Sequence, residues 1–230
     1  MNARERQAAR RAAAADPSAT TARTPITPDR IVDTALALVA EEGYEALTMR
    51  RVATALGTGP ASLYAHVVNK ADLDELLIGR LCGEIVSPQP DPARWREQAH
   101  GLVTALRDQY LRYPGVSRAA LAMAPTDLAV LALQEGLLAV LLAGDATPRA
   151  AAWTADALVL YVAAYCLERS VVGRDAAWVH DRDDLVRRFE ALPPERFPNV
   201  SRHATELTAG EGHERFDFTV GLLLDGLARA

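Results

Sequence analysis

From residue 28 onward the apolar positions recur at helical spacing. Ile31, Ala35, Leu38 and Val39 fall at i, i+4, i+7 and i+8, which is one face of an α-helix. Thr27-Pro28-Asp29 precedes them: a hydroxyl N-cap, a proline whose fixed φ suits the first helical position, and an acid in the positive first turn. Gly43 closes this helix. A second, short helix starts behind Thr48 as N-cap, turns Val52 and Leu56 inward and ends at Gly57. A third begins near Pro60, carries Leu63 and Val67 inward and stops before Asn69-Lys70. Three short helices, the last two joined by a tight turn containing glycine, form the helix-turn-helix outline.

The helical period continues beyond this head. Leu73, Leu76, Leu77 and Leu81 define a helix over 72–85; further helices are predicted at 92–113, 127–143 and 148–171, parted by Pro114-Gly115, Ala124-Pro125 and Gly144-Asp145. A helix is expected at 183–191, then a loop through Pro193-Pro194 and Pro198-Asn199. A final helix is expected over 213–228. No stretch alternates with the period of two that a strand requires. The predicted fold class is all-α: an N-terminal three-helix helix-turn-helix head followed by an all-helical body. The expected domains are a flexible arm at 1–24, rich in Ala, Arg, Ser and Thr without apolar period, the head at 25–71, and the body at 72–230.

Composition narrows the function. Half of the 230 residues are hydrophobic and 24% are charged, the balance of a soluble globular chain. A net charge of −5 excludes a polybasic nucleic-acid coat. Two cysteines, Cys82 and Cys166, exclude a disulfide framework or a cysteine-rich zinc module. The apolar stretches 128–142 and 150–167 are interrupted by Gln134-Glu135 and by Asp156, short of the ~20 apolar residues of a span. No apolar run follows Arg10-Arg11 as an export signal would require. A cytoplasmic protein with no membrane partner, metal or cofactor is expected.

Charge is placed unevenly. Residues 46–71 contain no acid but hold Arg50, Arg51 and Lys70, inside an otherwise acidic head. With Leu63 and Val67 inward, Ser62, Ala65 and His66 face outward, with Tyr64 on a flank and Lys70 just past the helix end. Thr48 and Arg50 stand at the N-terminus of the second helix, whose free amides and dipole favour an anion. Outward hydroxyl, phenol, imidazole and cationic groups with no carboxylate among them suit a polyanion. Arg51 reads equally well as a solvated side chain. His66 has no ligand partner at i+4, so a metal site is not expected. No phosphate loop, zinc-protease pair, nucleophile elbow or dinucleotide fingerprint occurs, so no catalytic residues are assigned. The rival readings are a helical dimeric scaffold that binds another protein without DNA and, behind it, a small-molecule enzyme.

Residues 26–81 resemble the DNA-binding head of the tetracycline-repressor (TetR) family of bacterial regulators. The match runs through Gly43-Tyr44-Glu45-Ala46-Leu47-Thr48, Val52-Ala53 with Leu56-Gly57, and Ser62-Leu63-Tyr64-Ala65-His66-Val67 into Asn69-Lys70. The close is similar too: Glu214-Arg215-Phe216-Asp217-Phe218 and Gly221-Leu222-Leu223-Leu224-Asp225-Gly226-Leu227 resemble the last helix of the branch that contains the tetracycline repressors. The resemblance implies a homodimer that places two recognition helices in successive major grooves of a palindromic double-stranded DNA operator, about 34–36 Å apart. It implies phosphate contacts from Thr48, Arg50, Tyr64 and Lys70, with Ser62 and His66 nearest the base edges or backbone. Pro60 and Ala61 leave the front of the recognition helix without an amide side chain, and Ala65 replaces an aromatic. Arg50 is therefore expected to supply the main base contact, with Pro60, Ala61 and Ala65 against thymine methyls.

In the body, the helix over 148–171 is apolar nearly all round and needs neighbours on every side. Ala155, Val159 and Val162 on it, with Phe216, Val220, Leu223, Leu224 and Leu227 on the last helix, are the expected four-helix seam between protomers. Polar or soft groups on otherwise apolar helices, namely His100, Tyr110, Met123, Tyr161, Tyr165 and Glu168, are the candidate effector contacts. Leu, Ala or Met occupy most positions that would hold a magnesium–tetracycline complex, so an apolar or amphipathic organic effector is expected. The resemblance implies that such an effector wedges the helix over 72–85 and swings the heads apart.

Overall fold

A computed structural model describes residues 25–122, 126–174 and 182–228. The arm at 1–24 and the effector candidate Met123 lie outside the described residues. Every regular element described is helical. The head comprises α1 (Pro28–Glu42), a 3-10 turn (Tyr44–Ala46), α2 (Met49–Ala55) and α3 (Pro60–Leu63). Then come α4 (Lys70–Gly83), α5 (Trp95–Arg112), α6 (Ser117–Ala122), α7 (Leu128–Ala143) and α8 (Pro148–Arg174). The chain closes with α9 (Arg182–Glu190), α10 (Pro198–Arg202), α11 (Ala204–Thr208) and α12 (Glu214–Leu227).

Local chemistry sets the ends of the head helices. The Arg30 amide donates to Thr27 Oγ1 at 3.3 Å and the Arg51 amide to Thr48 Oγ1 at 3.2 Å, so both threonines are N-caps. Gly57, at φ +67°, ends α2 in a Schellman turn, its amide reaching Thr54 O and that of Thr58 reaching Ala53 O. Asn69 caps α4 through the Asp72 amide at 3.0 Å, while the Asp72 carboxylate accepts from the Val68 amide. Ile31, Ala35, Val39, Val52, Leu63, Val67 and Leu73 are fully enclosed and form the head core.

Two expectations are corrected. The recognition segment is not a continuous rod to Val67: α3 is a single turn, extended by hydrogen-bonded turns from the His66 and Val67 amides to Leu63 O. Gly59 gives it no side-chain cap, and Asn69 begins the next helix, so few residues remain to propagate it. Pro198-Asn199, expected in a loop, instead opens α10, since proline suits a first helical position.

Helix α4 joins the two halves, packing on α1 in the head and on α5, α6 and α7 in the body. Helix α8 packs against α5, α6, α7 and α12. Over Pro148–Ser170 it is long and apolar enough to cross a membrane by length and composition, a longer run than Asp156 was expected to allow. Its packing against four neighbours gives that apolarity a use within the protein.

Candidate nucleic-acid interface and effector cavity

Burying Leu63 and Val67 fixes the orientation of α3 and forces its other residues outward. Pro60, Ala61, Ser62, Tyr64, Ala65 and His66 are all exposed, Tyr64 at 51%, and Thr48 and Arg50 on the preceding helix and its cap are exposed as well. Among the described residues the Arg50 guanidinium makes no ion pair, whereas Arg51 pairs with Glu42 across α1. That pairing gives Arg51 a role inside the head.

Lys70 is positioned rather than free. It is the first residue of α4, where its ammonium pairs with Asp74 one turn on, donates to Tyr44 Oη at 3.0 Å and lies 4.1 Å from the centre of the Tyr44 ring. The Tyr44 hydroxyl donates to Asp74 Oδ2 at 2.8 Å. Burial, then the Asp74 hydrogen bond and charge, push the Tyr44 phenol far above its usual range, so it stays a donor. Sequence reasoning identified Lys70 but passed over Asp74, although the i, i+4 spacing was a readable signal.

The body holds a cavity of about 180 Å³ among α4, α5, α6, α7 and α8. Its wall includes Ile78, Cys82, Leu106, Tyr110, Val159 and Leu160. Tyr110 is buried and hydrogen-bonded to Cys82, whose thiol is pushed up to about 12 by burial and, secondarily, by the Asp127 carboxylate. Gln134 and Asp156 line both this cavity and a groove of about 540 Å³ between α7 and α8, so the two spaces adjoin.

Of the described effector candidates only Tyr110 borders this cavity. His100, Tyr161, Tyr165 and Glu168 gather instead where α12 crosses α5 and α8. His100 Nε2 lies 3.2 Å from Asp217, the Tyr161 hydroxyl donates to Arg215 O at 3.2 Å, Tyr165 Oη is 2.8 Å from His213 Nδ1, and Glu168 lies 3.6 Å from Arg215. The Tyr161 ring stacks on Phe216, with centroids 5.6 Å apart. Helix periodicity explains the division: positions 161, 165 and 168 face α12, while 156, 159 and 160 turn towards the cavity.

The side chains of the expected dimer stripe are divided in the same way. Val162, Phe216, Val220, Leu224 and Leu227 are buried within their own protomer, Val159 lines the cavity, and Ala155 faces the α7–α8 groove. Leu223 is partly buried. Among the described side chains, the large apolar ones left outward on these two helices are Trp153 and Leu160 on α8 and Phe218 and Leu222 on α12; Trp153 is 70% exposed and Phe218 68%. On an all-apolar helix, hydropathy alone does not distinguish the inner stripe from the outer one.

An all-helical protein with an acid-free helix-turn-helix face and a cavity beneath its connecting helix belongs to the class of ligand-responsive DNA-binding regulators. Residues 31–75 match the family of bacterial regulatory proteins, tetR family, and residues 87–230 match the tetracyclin repressor-like C-terminal domain. The chain belongs to the TetR family. It is similar to apo ActR from Streptomyces coelicolor, with 34% identity, 90% of this chain and 96% of that one covered, and a TM-score of 0.80. The same protein in complex with actinorhodin gives 35% identity, coverage of 89% and 96%, and a TM-score of 0.80. The HTH-type transcriptional repressor DrrR1 of Streptomyces coeruleorubidus is 36% identical over 94 residues, 39% of this chain and 33% of that protein. The match thus spans about a third of that relative's length.

Proposed function

We propose that this protein is a cytoplasmic, non-enzymatic repressor that binds a palindromic operator as a homodimer and leaves it when an apolar or amphipathic organic molecule occupies the cavity beside α4. The observation that carries the reading is the exposed, acid-free set Thr48, Arg50, Ser62, Tyr64 and His66. Buried Val52 anchors the helix that carries the first two, and buried Leu63 and Val67 anchor the segment that carries the rest, on a chain similar to ActR over nine-tenths of its length. In this reading Thr48, Tyr64 and Lys70 contact phosphates, Arg50 reads a base, Ser62 and His66 lie nearest the base edges or backbone, and Pro60, Ala61 and Ala65 meet thymine methyls. Trp153, Phe218 and Leu222 supply the outer apolar face that a second copy covers. The cavity supports the effector, since it borders α4, the element shared by head and body, and ActR has been crystallised in complex with actinorhodin and with (S)-DNPA.

Selection of bound duplexes from a random pool, followed by mobility shift at two salt concentrations, tests this. A recovered inverted repeat with a saturable, salt-sensitive shift supports the reading. Recovery of no enriched sequence, with only a protein partner retained on affinity capture, supports the scaffold instead.

A further inference from the structure

The charges around the cavity are all of one sign. Its wall carries one carboxylate, Asp156, and no arginine, lysine or histidine; the adjoining groove carries Asp156 again and Glu135, and likewise no basic residue. Among the described residues neither acid has an ion-pair partner, unlike Asp225, Asp217 and Glu168 elsewhere on the body, which pair with Arg96, Arg107 and Arg215. Gln134 stands beside Asp156 at the junction of the two spaces. The remaining lining is aliphatic apart from the Tyr110 ring and the Cys82 thiol. Both of these stay neutral through the physiological range and offer a ligand no charge.

A carboxylate at the mouth of an apolar space disfavours anions twice, by repulsion and by lack of any cationic partner. It favours a molecule whose apolar body fills the cavity while a protonated amine stays at the mouth, partly solvated. The opening in the groove leaves room for substituents beyond that amine. At the rim the pair avoids the full desolvation penalty of a buried ion pair.

Resting on the cavity reading above, we infer that the effector is a lipophilic amine whose cationic nitrogen is held by Asp156, with Gln134 as a neighbouring hydrogen-bonding group. Asp156 selects the charge class, and the cavity wall selects the shape.

The full-length protein is titrated, without DNA, with dansylcadaverine, whose naphthalene fluorophore ends in a primary amine. A parallel titration uses dansyl-aminocaproic acid, the same fluorophore ending in a carboxylate. The amine is expected to bind at least about tenfold more tightly, a gap of ~1.4 kcal/mol, and D156N to remove that preference. E135Q should leave most of it, because Glu135 lines only the groove. Asp156 is exposed, so D156N should keep its fold, which circular dichroism checks. Equal binding of both probes, each blocked by V159W, would overturn the charge inference and leave the cavity reading standing. Binding of neither probe would overturn both.

Discussion

The backbone amide of Tyr44, in the 3-10 turn of the head, donates to Pro114 O in the turn between α5 and α6, 2.9 Å away. This bond joins the two halves of the protein outside α4. Beside it Arg118 of α6 pairs with Glu45, and the Gly115 amide donates to Ser170 Oγ on α8 at 2.9 Å. The Arg118–Glu45 pair is exposed at both ends and so adds at most about 1 kcal/mol. The close backbone approach matters more.

That approach depends on Gly115. Its φ is +86°, and a Cβ there would lie 3.2 Å from Tyr44 Cβ. G115A should destabilise the protein by about 1–3 kcal/mol through left-handed strain and displacement of Tyr44. R118A should cost less than about 1 kcal/mol. Urea unfolding of both variants gives the comparison, and an equal loss in the two would refute the assignment.

A second close approach clamps α4 to α7. Asp127 caps α7, its Oδ1 accepting from the Ala129 amide at 2.8 Å and the Val130 amide at 3.3 Å, and a Cβ on Gly79 would fall 2.6 Å from the same carboxylate. G79A should therefore dislodge the cap. The two sites share one contact, so D127A and G79A should be non-additive, with a coupling of at least about 0.5 kcal/mol. Purely additive losses in a double-mutant cycle would show that the helices part without disturbing the cap.

In the head, R50A and K70A should separate two kinds of contact. Arg50 has no ion pair among the described residues, and its loss should relax base preference at one position per half-site. K70A should weaken all duplexes alike and flatten the log–log salt slope by about 0.9 per site. An unchanged slope would show that Asp74 and Tyr44 already occupy the ammonium fully.

The head was legible because its signals are local. Thr27 and Thr48 as caps, Gly57 as a stop, and Leu63 with Val67 as the inward pair each depend on residues within a turn or two. The body was legible only as helices. Tyr161 and Tyr165 lie on the same helix as Asp156 and Val159, yet they face α12 and not the cavity, a distinction set by which neighbour packs where. Lys70 was found as a cation, but its ties to Tyr44 and Asp74 cross 26 residues on one side and four on the other. Only the shorter spacing could be read.

The two thiols give a pH prediction. Burial raises Cys82 and Cys166 from an ordinary value of 9.0 to about 12, favouring the neutral form in the folded state. The unfolded chain loses these protons at lower pH than the native one. The thiols therefore stabilise the fold fully below about pH 9, and the contribution is lost as pH rises towards 12. At pH 8 both should resist iodoacetamide while the protein is folded, because the thiolate is the reacting species. Urea should make both react at the rate of a free cysteine. Occupation of the cavity should leave Cys166 unchanged and shield Cys82 further, since only Cys82 lines it. Mass spectrometry of the alkylated protein reads both sites at once, and rapid labelling of Cys82 in the folded, unliganded chain would mean that the cavity wall is open to water.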